Sequence, residues 1–357
     1  MKYFILAGEP SGDEYAANLA NAIRMKDTHA EIVGVGGKYM QNAGIELLFG
    51  LDRLAFMGFV EVAKHLFTIR RNFKEIKSYL LQFKPDVVIL VDYPGFNLRM
   101  AKWCKLIGFK VVYYISPKIW AWKESRVEVI KKYVDKMLCI FPFELDFYKK
   151  HGYTNAVYVG NPLEIKEQTP IDEIKTKNII ALLPGSRKQE IKRLMPVFIE
   201  LAQLCSDKQF IIAAMSRLKD EYQAFIPLPQ NMQLVFDNTE NVLNNAALAV
   251  VCSGTATLQT ALLNTPQVVV YRTSFINYQI GKRLAKVNYI SLPNLILNRE
   301  IIKELLQQDC TAKNILTEIK KIEAGFNFKA YAQLRNILQT GNAAENAATE
   351  ILKTINK

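Results

Sequence analysis

Short apolar runs, most of them β-branched and bounded by Gly, Pro or Asp, recur along this chain in the rhythm of a βα alternation, and they do so twice. The first set falls at 2–7, 31–35, 86–92, 110–116, 136–141 and 156–160. The second falls at 178–183, 209–215, 233–237, 248–252 and 267–272. Runs that are apolar throughout read as parallel strands buried on both faces by helices. Between the sets lies a charged, non-periodic stretch at 163–177, which reads as a linker. The pattern predicts an α/β chain of two Rossmann-like doubly wound domains, at 1–165 and 175–340. A last helix at 341–357 packs either on the first domain or on a partner subunit. A length of 357 residues suits two domains. From 300 onward the chain reads as helical. Two such lobes put a cleft between them, and ligands of doubly wound sheets sit beyond the carboxyl ends of the strands.

Helical patterns fill most of the gaps. Phe59, Val62, Leu66, Ile69, Phe73, Ile76 and Leu80 make one apolar stripe, with Lys64, Arg70, Arg71, Lys74 and Lys77 elsewhere on the same helix. The stripe suits either internal packing or a lipid surface. The chain carries a net charge of +12, most of it at 60–132, where 15 Lys and Arg face 6 Asp and Glu. Such a bias points to an anionic lipid surface, a nucleic acid or a plain solvated face. No run approaches the roughly 18 apolar residues of a membrane span, so membrane contact is expected to be peripheral. Met1-Lys2 leads straight into an apolar run too short for a signal peptide. The five cysteines are scattered, without a C-x-x-C, which argues for a reducing cytoplasm and against disulfides or a zinc ribbon.

The stretches after the strands carry the polar chemistry. Gly8-Glu9-Pro10-Ser11-Gly12-Asp13 follows the first run and reads as a capped βα turn, except that Glu9 has no evident capping duty. Asp92 follows the wholly apolar Val87–Val91, where a carboxylate tends to hold its proton and can act as a general base; it reads equally as a turn aspartate. At 116–126, Trp120 and Trp122 stand among Lys118, Lys123 and Arg126, either facing a ligand or burying their indoles. Pro184-Gly185-Ser186-Arg187 and Ser253-Gly254-Thr255-Ala256-Thr257 each lead into a helix. Either is an ordinary capped turn or an anion site built from free N–H groups, the helix dipole and, in the first, a guanidinium. Together they favour a phosphate ligand. Three histidines without metal spacing make a histidine metal site improbable, and no D-x-D or G-x-S-x-G is present.

These stretches resemble the lipid-A-disaccharide synthase family, whose members have the two-domain glycogen-phosphorylase-like (GT-B) architecture. The matching motifs are GEPSGD at 8–13, MGFVEV at 57–62, DYPGFN at 92–97, YISPKIWAWKESR at 114–126, FPFE at 141–144, LLPGSR at 182–187, SGTATLQ at 253–259, VVYR at 269–272 and NYISLPNLI at 288–296. They are collinear and span the chain to about residue 305. The resemblance implies an inverting, metal- and cofactor-independent hexosyl transfer from UDP-2,3-diacylglucosamine to the 6-hydroxyl of 2,3-diacylglucosamine 1-phosphate, giving a β-1,6 disaccharide 1-phosphate and UDP. It implies Asp92 as base, with Glu9 and Asp13 assisting. Ser186, Arg187, Gly254, Thr255, Thr257, Gln259 and Asn294 would bind the donor. Ser11, Gly12, Trp120, Trp122 and Arg126 would face the acceptor and its lipid. The expected partners are these two lipids and an anionic inner-membrane surface approached from the cytoplasm, without nucleic acid; a homodimer is left open. Gln259 departs from the usual Glu of the family and would weaken UDP binding by about 1 kcal/mol through loss of a charge-assisted bond. The rival readings are a UDP-N-acetylglucosamine 2-epimerase, a peptidoglycan-type glycosyltransferase and a basic scaffold that binds UDP-sugars without turnover.

Overall fold

The computed structural model of the chain describes residues 1–54, 66–122, 124–163, 178–274, 278–279, 283, 287–339 and 341–356, the side chains of 66 and 122 apart. The motif at 57–62, the first part of the apolar stripe, the stretch at 164–177 and the Trp122 side chain therefore lie outside the described residues. The chain divides into two compact units. Met1–Pro162 with Leu338–Lys357 forms the first, and Leu163–Ile337 the second.

In the first unit β1 (Lys2–Ala7), β2 (Glu31–Gly36), β3 (Glu46–Gly50), β4 (Val87–Val91), β5 (Lys110–Tyr114), β6 (Lys136–Cys139) and β7 (Ala156–Tyr158) build one sheet in the order 3-2-1-4-5-6-7. Every pairing is parallel. The helices are α1 (Pro10–Lys26), α2 (Lys38–Asn42), α3 (Leu66–Phe83), α4 (Pro94–Ile107), α5 (Ile119–Trp122), α6 (Val127–Tyr133) and α7 (Pro142–Lys150). Proline opens α1, α4 and α7 within the first helical turn, where its missing N–H costs nothing. Gly108 closes α4 at φ +98°. The central strand is mostly β-branched, as expected: Val87, Val88, Ile89 and Val91, with Leu90 between them, are fully buried. The described part of the apolar stripe faces inward. Ile76 and Leu80 are buried, and Ile69 and Phe73 pack beside them on the core.

In the second unit β8 (Ile179–Leu183), β9 (Gln209–Ala214), β10 (Met232–Phe236), β11 (Leu248–Cys252), β12 (Gln267–Tyr271) and β13 (Glu304–Leu306) form a parallel sheet in the order 10-9-8-11-12-13. Its helices include α8 (Lys188–Leu204), α9 (Lys219–Gln223), α10 (Thr239–Asn245), α11 (Thr255–Leu262), α12 (Leu292–Leu297) and α13 (Ala312–Ala324), with α14 (Phe328–Leu338) leading back to the first unit. β13 corrects the expectation that the chain beyond 300 is all helical, and β3 was not foreseen.

The last helix, α15 (Ala343–Ile355), packs against α1. Lys110 donates from Nζ to the carbonyls of Thr354 and Ile355 at 3.0 and 2.7 Å, placing a cation at the negative end of the helix. Lys136 pairs with Glu350 at 3.6 Å, and Asn346 donates to the Val159 carbonyl.

Candidate active site

The strand order of the first sheet reverses between β1 and β4, and that of the second between β8 and β11. Such switch points open a crevice at the carboxyl ends of the two strands concerned. The turns at 8–13, 92–97, 184–187 and 253–257 each follow one of these four strands; the tryptophan stretch at 116–126 follows β5, FPFE follows β6, and SLPN comes after β12.

In the first unit Ala7 and Val91 are paired, so Gly8-Glu9 and Asp92-Tyr93 leave the sheet side by side. Asp92 and Tyr93 are both left-handed, at φ +44° and +46°. Two such residues in a row, neither of them glycine, cost about 1–3 kcal/mol each. Side-chain donors hold the turn. Asn97 donates from Nδ2 to the Val91 and Asp92 carbonyls at 3.1 and 2.8 Å, and the Tyr113 hydroxyl donates to the Asp92 carbonyl at 2.5 Å. The Tyr93 ring lies where a Cβ on Gly8 would sit, 2.2 Å from its nearest atom, so only glycine fits there. The Asp92 side chain is half-buried in dense surroundings. Burial first, and the Glu9 charge second, push its carboxyl up to about 6, against the pull of Lys118 and the Tyr93 N–H. A carboxylate of that strength is ionised at neutral pH and still basic enough to share a hydroxyl proton in a transition state.

Glu9 is the N-cap residue of α1, and its side chain makes no capping bond. Its charge reaches Asp92, Tyr93 and Tyr113. Asp13 differs. It is 2% exposed, and its two oxygens accept the N–H groups of Gly37, Tyr39 and Met40 at 2.7, 2.9 and 3.2 Å. It fastens the turn into α2 and holds no oxygen out to a substrate. Gly12 is also internal, where a Cβ would touch Ala7 and Val91; Ser11 is exposed. Trp120 is half-buried. Its indole Nε1 donates to Glu144 at 3.2 Å and its ring meets Phe143 edge-on. Glu144 is 1% exposed and also accepts the Ile140 and Phe141 N–H groups. Burial pushes its carboxyl up to about 8 against these bonds. Arg126 is half-buried at the start of α6.

In the second unit the Gly185-Ser186-Arg187 turn, with Gly185 at φ +105°, is closed by Glu190. Its Oε2 accepts the N–H groups of Ser186 and Arg187 at 2.9 and 3.1 Å. This corrects the expectation of a free anion nest: a carboxylate of the protein already fills it. The Arg187 side chain stays 64% exposed, 3.4 Å from Glu190 Oε1. The charges of Arg187 and Glu190 reach Cys252 and Tyr271 at the ends of β11 and β12, which places the two motifs beside each other. At the second motif, the N–H groups of Gly254, Thr255 and Ala256 open α11 and have no partner within the helix. Thr255 is exposed, and Gln259 is half-buried one turn further on. Thr257 is committed inside, donating to the Gly254 carbonyl at 2.8 Å and accepting the Leu292 N–H at 3.3 Å.

Asn294 is fully buried, and both ends of its amide are used. Nδ2 donates to Ile302 O and Glu304, and Oδ1 accepts the N–H groups of Ile301 and Ile302. Glu304 in turn accepts the Ile290 and Ser291 N–H groups and the Ser291 hydroxyl. Ser253 donates to the Ile290 carbonyl. The SLPN motif thus braces the turn that opens α11. Glu304 was missed in the sequence because the segment around it was read as helical. Among the described residues no three of His, Cys, Asp and Glu converge in a way that could hold a metal ion.

The family model for lipid-A-disaccharide synthetases matches residues 3–355. The lipid-A-disaccharide synthase of Coxiella burnetii (strain CbuG_Q212) is 37% identical over 368 residues, covering 97% of this chain and 96% of that protein. The enzyme of the same name from Myxococcus xanthus (strain DK1622) is 36% identical over 386 residues, covering 99% and 97%. Among solved structures, the kitacinnamycin glycotransferase superposes with a TM-score of 0.71 at 12% identity, covering 99% of both chains. The UDP-GlcNAc 2-epimerase of Neisseria meningitidis bound to UDP-GlcNAc superposes at 0.66 and 12%, also covering 99% of both. At such identities these neighbours speak for the fold alone, and with the two sheets they bear out the expected two-domain GT-B class.

Proposed function

Since this chain belongs to the lipid-A-disaccharide synthetase family, we propose that it transfers 2,3-diacylglucosamine from its UDP conjugate to the 6-hydroxyl of 2,3-diacylglucosamine 1-phosphate, with inversion. The observation that carries the mechanism is Asp92: a carboxylate at a switch point, raised to about 6 and held on a braced turn. As the acceptor oxygen bonds to the anomeric carbon, Asp92 takes its proton. The bond to UDP breaks on the opposite side, and negative charge grows on the β-phosphate. The open N–H groups at the start of α11 and the Arg187 guanidinium are the donors for that charge. Gln259 lies within the same helix for the ribose.

Both substrates carry acyl chains, so the work belongs at a membrane surface. The supporting feature is one face of α3, where Phe67, 83% exposed, stands with the exposed Arg70, Arg71 and Lys74. No described helix is long and apolar enough to cross a membrane. This reading places the protein on the cytoplasmic side of the inner membrane, held peripherally.

The test is incubation with both lipids. UDP release should require the two together and should persist in EDTA, since the sequence offers no D-x-D to chelate a metal. Asp92→Asn should keep UDP affinity and lose turnover by at least about a hundredfold, the usual scale for a removed general base. Interconversion of UDP-N-acetyl-sugars without either lipid would establish the epimerase instead.

A further inference from the structure

The acceptor in this reading carries a phosphate on its anomeric carbon, across the sugar ring from the hydroxyl that reacts. With Asp92 at the hydroxyl, the phosphate settles one hexose away. Three cations stand in that neighbourhood. Lys118 follows β5, the strand next to β4, and its charge acts on Asp92. Arg126 acts on Tyr113, whose hydroxyl is bonded to the Asp92 carbonyl. Arg99 lies on α4, which packs against α6, the helix that Arg126 begins. Arg99 is close enough for its charge to be felt by Arg126.

Among the described residues none of the three side chains has a hydrogen bond or an ion pair, whereas Lys105 and Lys131, on the same two helices, are matched with Asp135 and Glu128. A half-buried guanidinium within reach of a second guanidinium's charge, and paired with no carboxylate among the described residues, is an unfavourable arrangement in the free protein. Burial and Arg99 together hold the Arg126 pKa below the usual arginine range. An anion with several acceptor oxygens relieves both costs, and a phosphate monoester fits the planar fork of the guanidinium.

We propose that Arg126, flanked by Arg99 and Lys118, seats the phosphate monoester of the acceptor sugar. The enzyme then selects its acceptor by the phosphate and not by the acyl chains alone. The inference rests on the transferase reading above. The same cations could meet a phosphate from a lipid headgroup, and the experiment separates the two.

Initial rates are measured with 2,3-diacylglucosamine 1-phosphate and with the same sugar lacking the phosphate, at a fixed concentration of UDP donor. The unaltered chain should prefer the phosphorylated acceptor by at least about tenfold in kcat/KM, the scale of one charge-assisted contact. Arg126→Ala should remove most of that preference through the acceptor KM, leave the donor KM unchanged, and be partly rescued by Arg126→Lys. Arg99→Ala, at an exposed position, should lower the preference less and serves if Arg126→Ala does not fold. The proposal is overturned if both alanine variants keep the full preference, or if they slow both acceptors equally. It is also overturned if they lose only binding to phosphatidylglycerol vesicles, which would assign the cations to headgroups. An unaltered chain that joins neither acceptor to the donor overturns the transferase reading, and this one with it.

Discussion

Asp92 depends on its neighbours at every atom that matters. Its backbone is left-handed, its carbonyl is held by Asn97 and Tyr113, and its carboxyl is tuned by Glu9 and Lys118. A base with a pKa of about 6 is protonated, and idle, at lower pH. The acid limb of kcat/KM should therefore fall near pH 6. Glu9 raises that value by like-charge repulsion, so Glu9→Gln should move the limb to lower pH. A pH–rate profile of this variant that overlays the unaltered one would remove Glu9 from the tuning. At this scale the sequence exposed Asp92 and Glu9, because a carboxylate after an apolar strand is conspicuous. It did not separate them from Asp13, Thr257 or Asn294. Those side chains spend their polar atoms on other groups of the protein, mostly backbone, and a residue type says nothing about whether its partner is a ligand or the protein itself. Likewise Glu190 was invisible as the occupant of the Gly185-Ser186-Arg187 turn, since that depends on a side chain folding back by three to four residues.

Elements repeat the lesson in their own terms. The apolar strands were legible because burial on both faces leaves a continuous apolar run. β3 and β13 were not, since each sits at a sheet edge, half-buried, and reads as mixed sequence. The apolar stripe at 59–80 had two readings, and in its described part the core claims it. The free face of α3, with Phe67, Arg70, Arg71 and Lys74, lies on the other side. The FPFE motif had no assigned task. Its Glu144 ties the start of α7 to the Trp120 loop by accepting three N–H groups. Glu144→Ala strands those donors in the interior and should destabilise the first unit by about 2–4 kcal/mol. Thermal unfolding checks it, and a Tm equal to that of the unaltered protein would show the carboxylate to be dispensable.

At the scale of the whole molecule, two sheets of the same design each present their chemistry at the point where strand order reverses. That topology could not be read from the chain, because strand order is set by long-range pairing; the existence of two βα sets could. Charge is a property of this scale too. The protein should sediment with anionic liposomes at low salt, and replacing Arg70, Arg71 and Lys74 by Glu should release it. Unchanged sedimentation would detach α3 from the membrane. The first unit is also discontinuous, since the chain leaves it at Pro162 and returns only at Leu338. During synthesis, the half that holds Asp92 must wait with one side of α1 uncovered until residues 343–355 are translated. A frameshift or stop between codons 163 and 343 would thus damage the base-bearing half, although the codon for Asp92 lies well upstream of it.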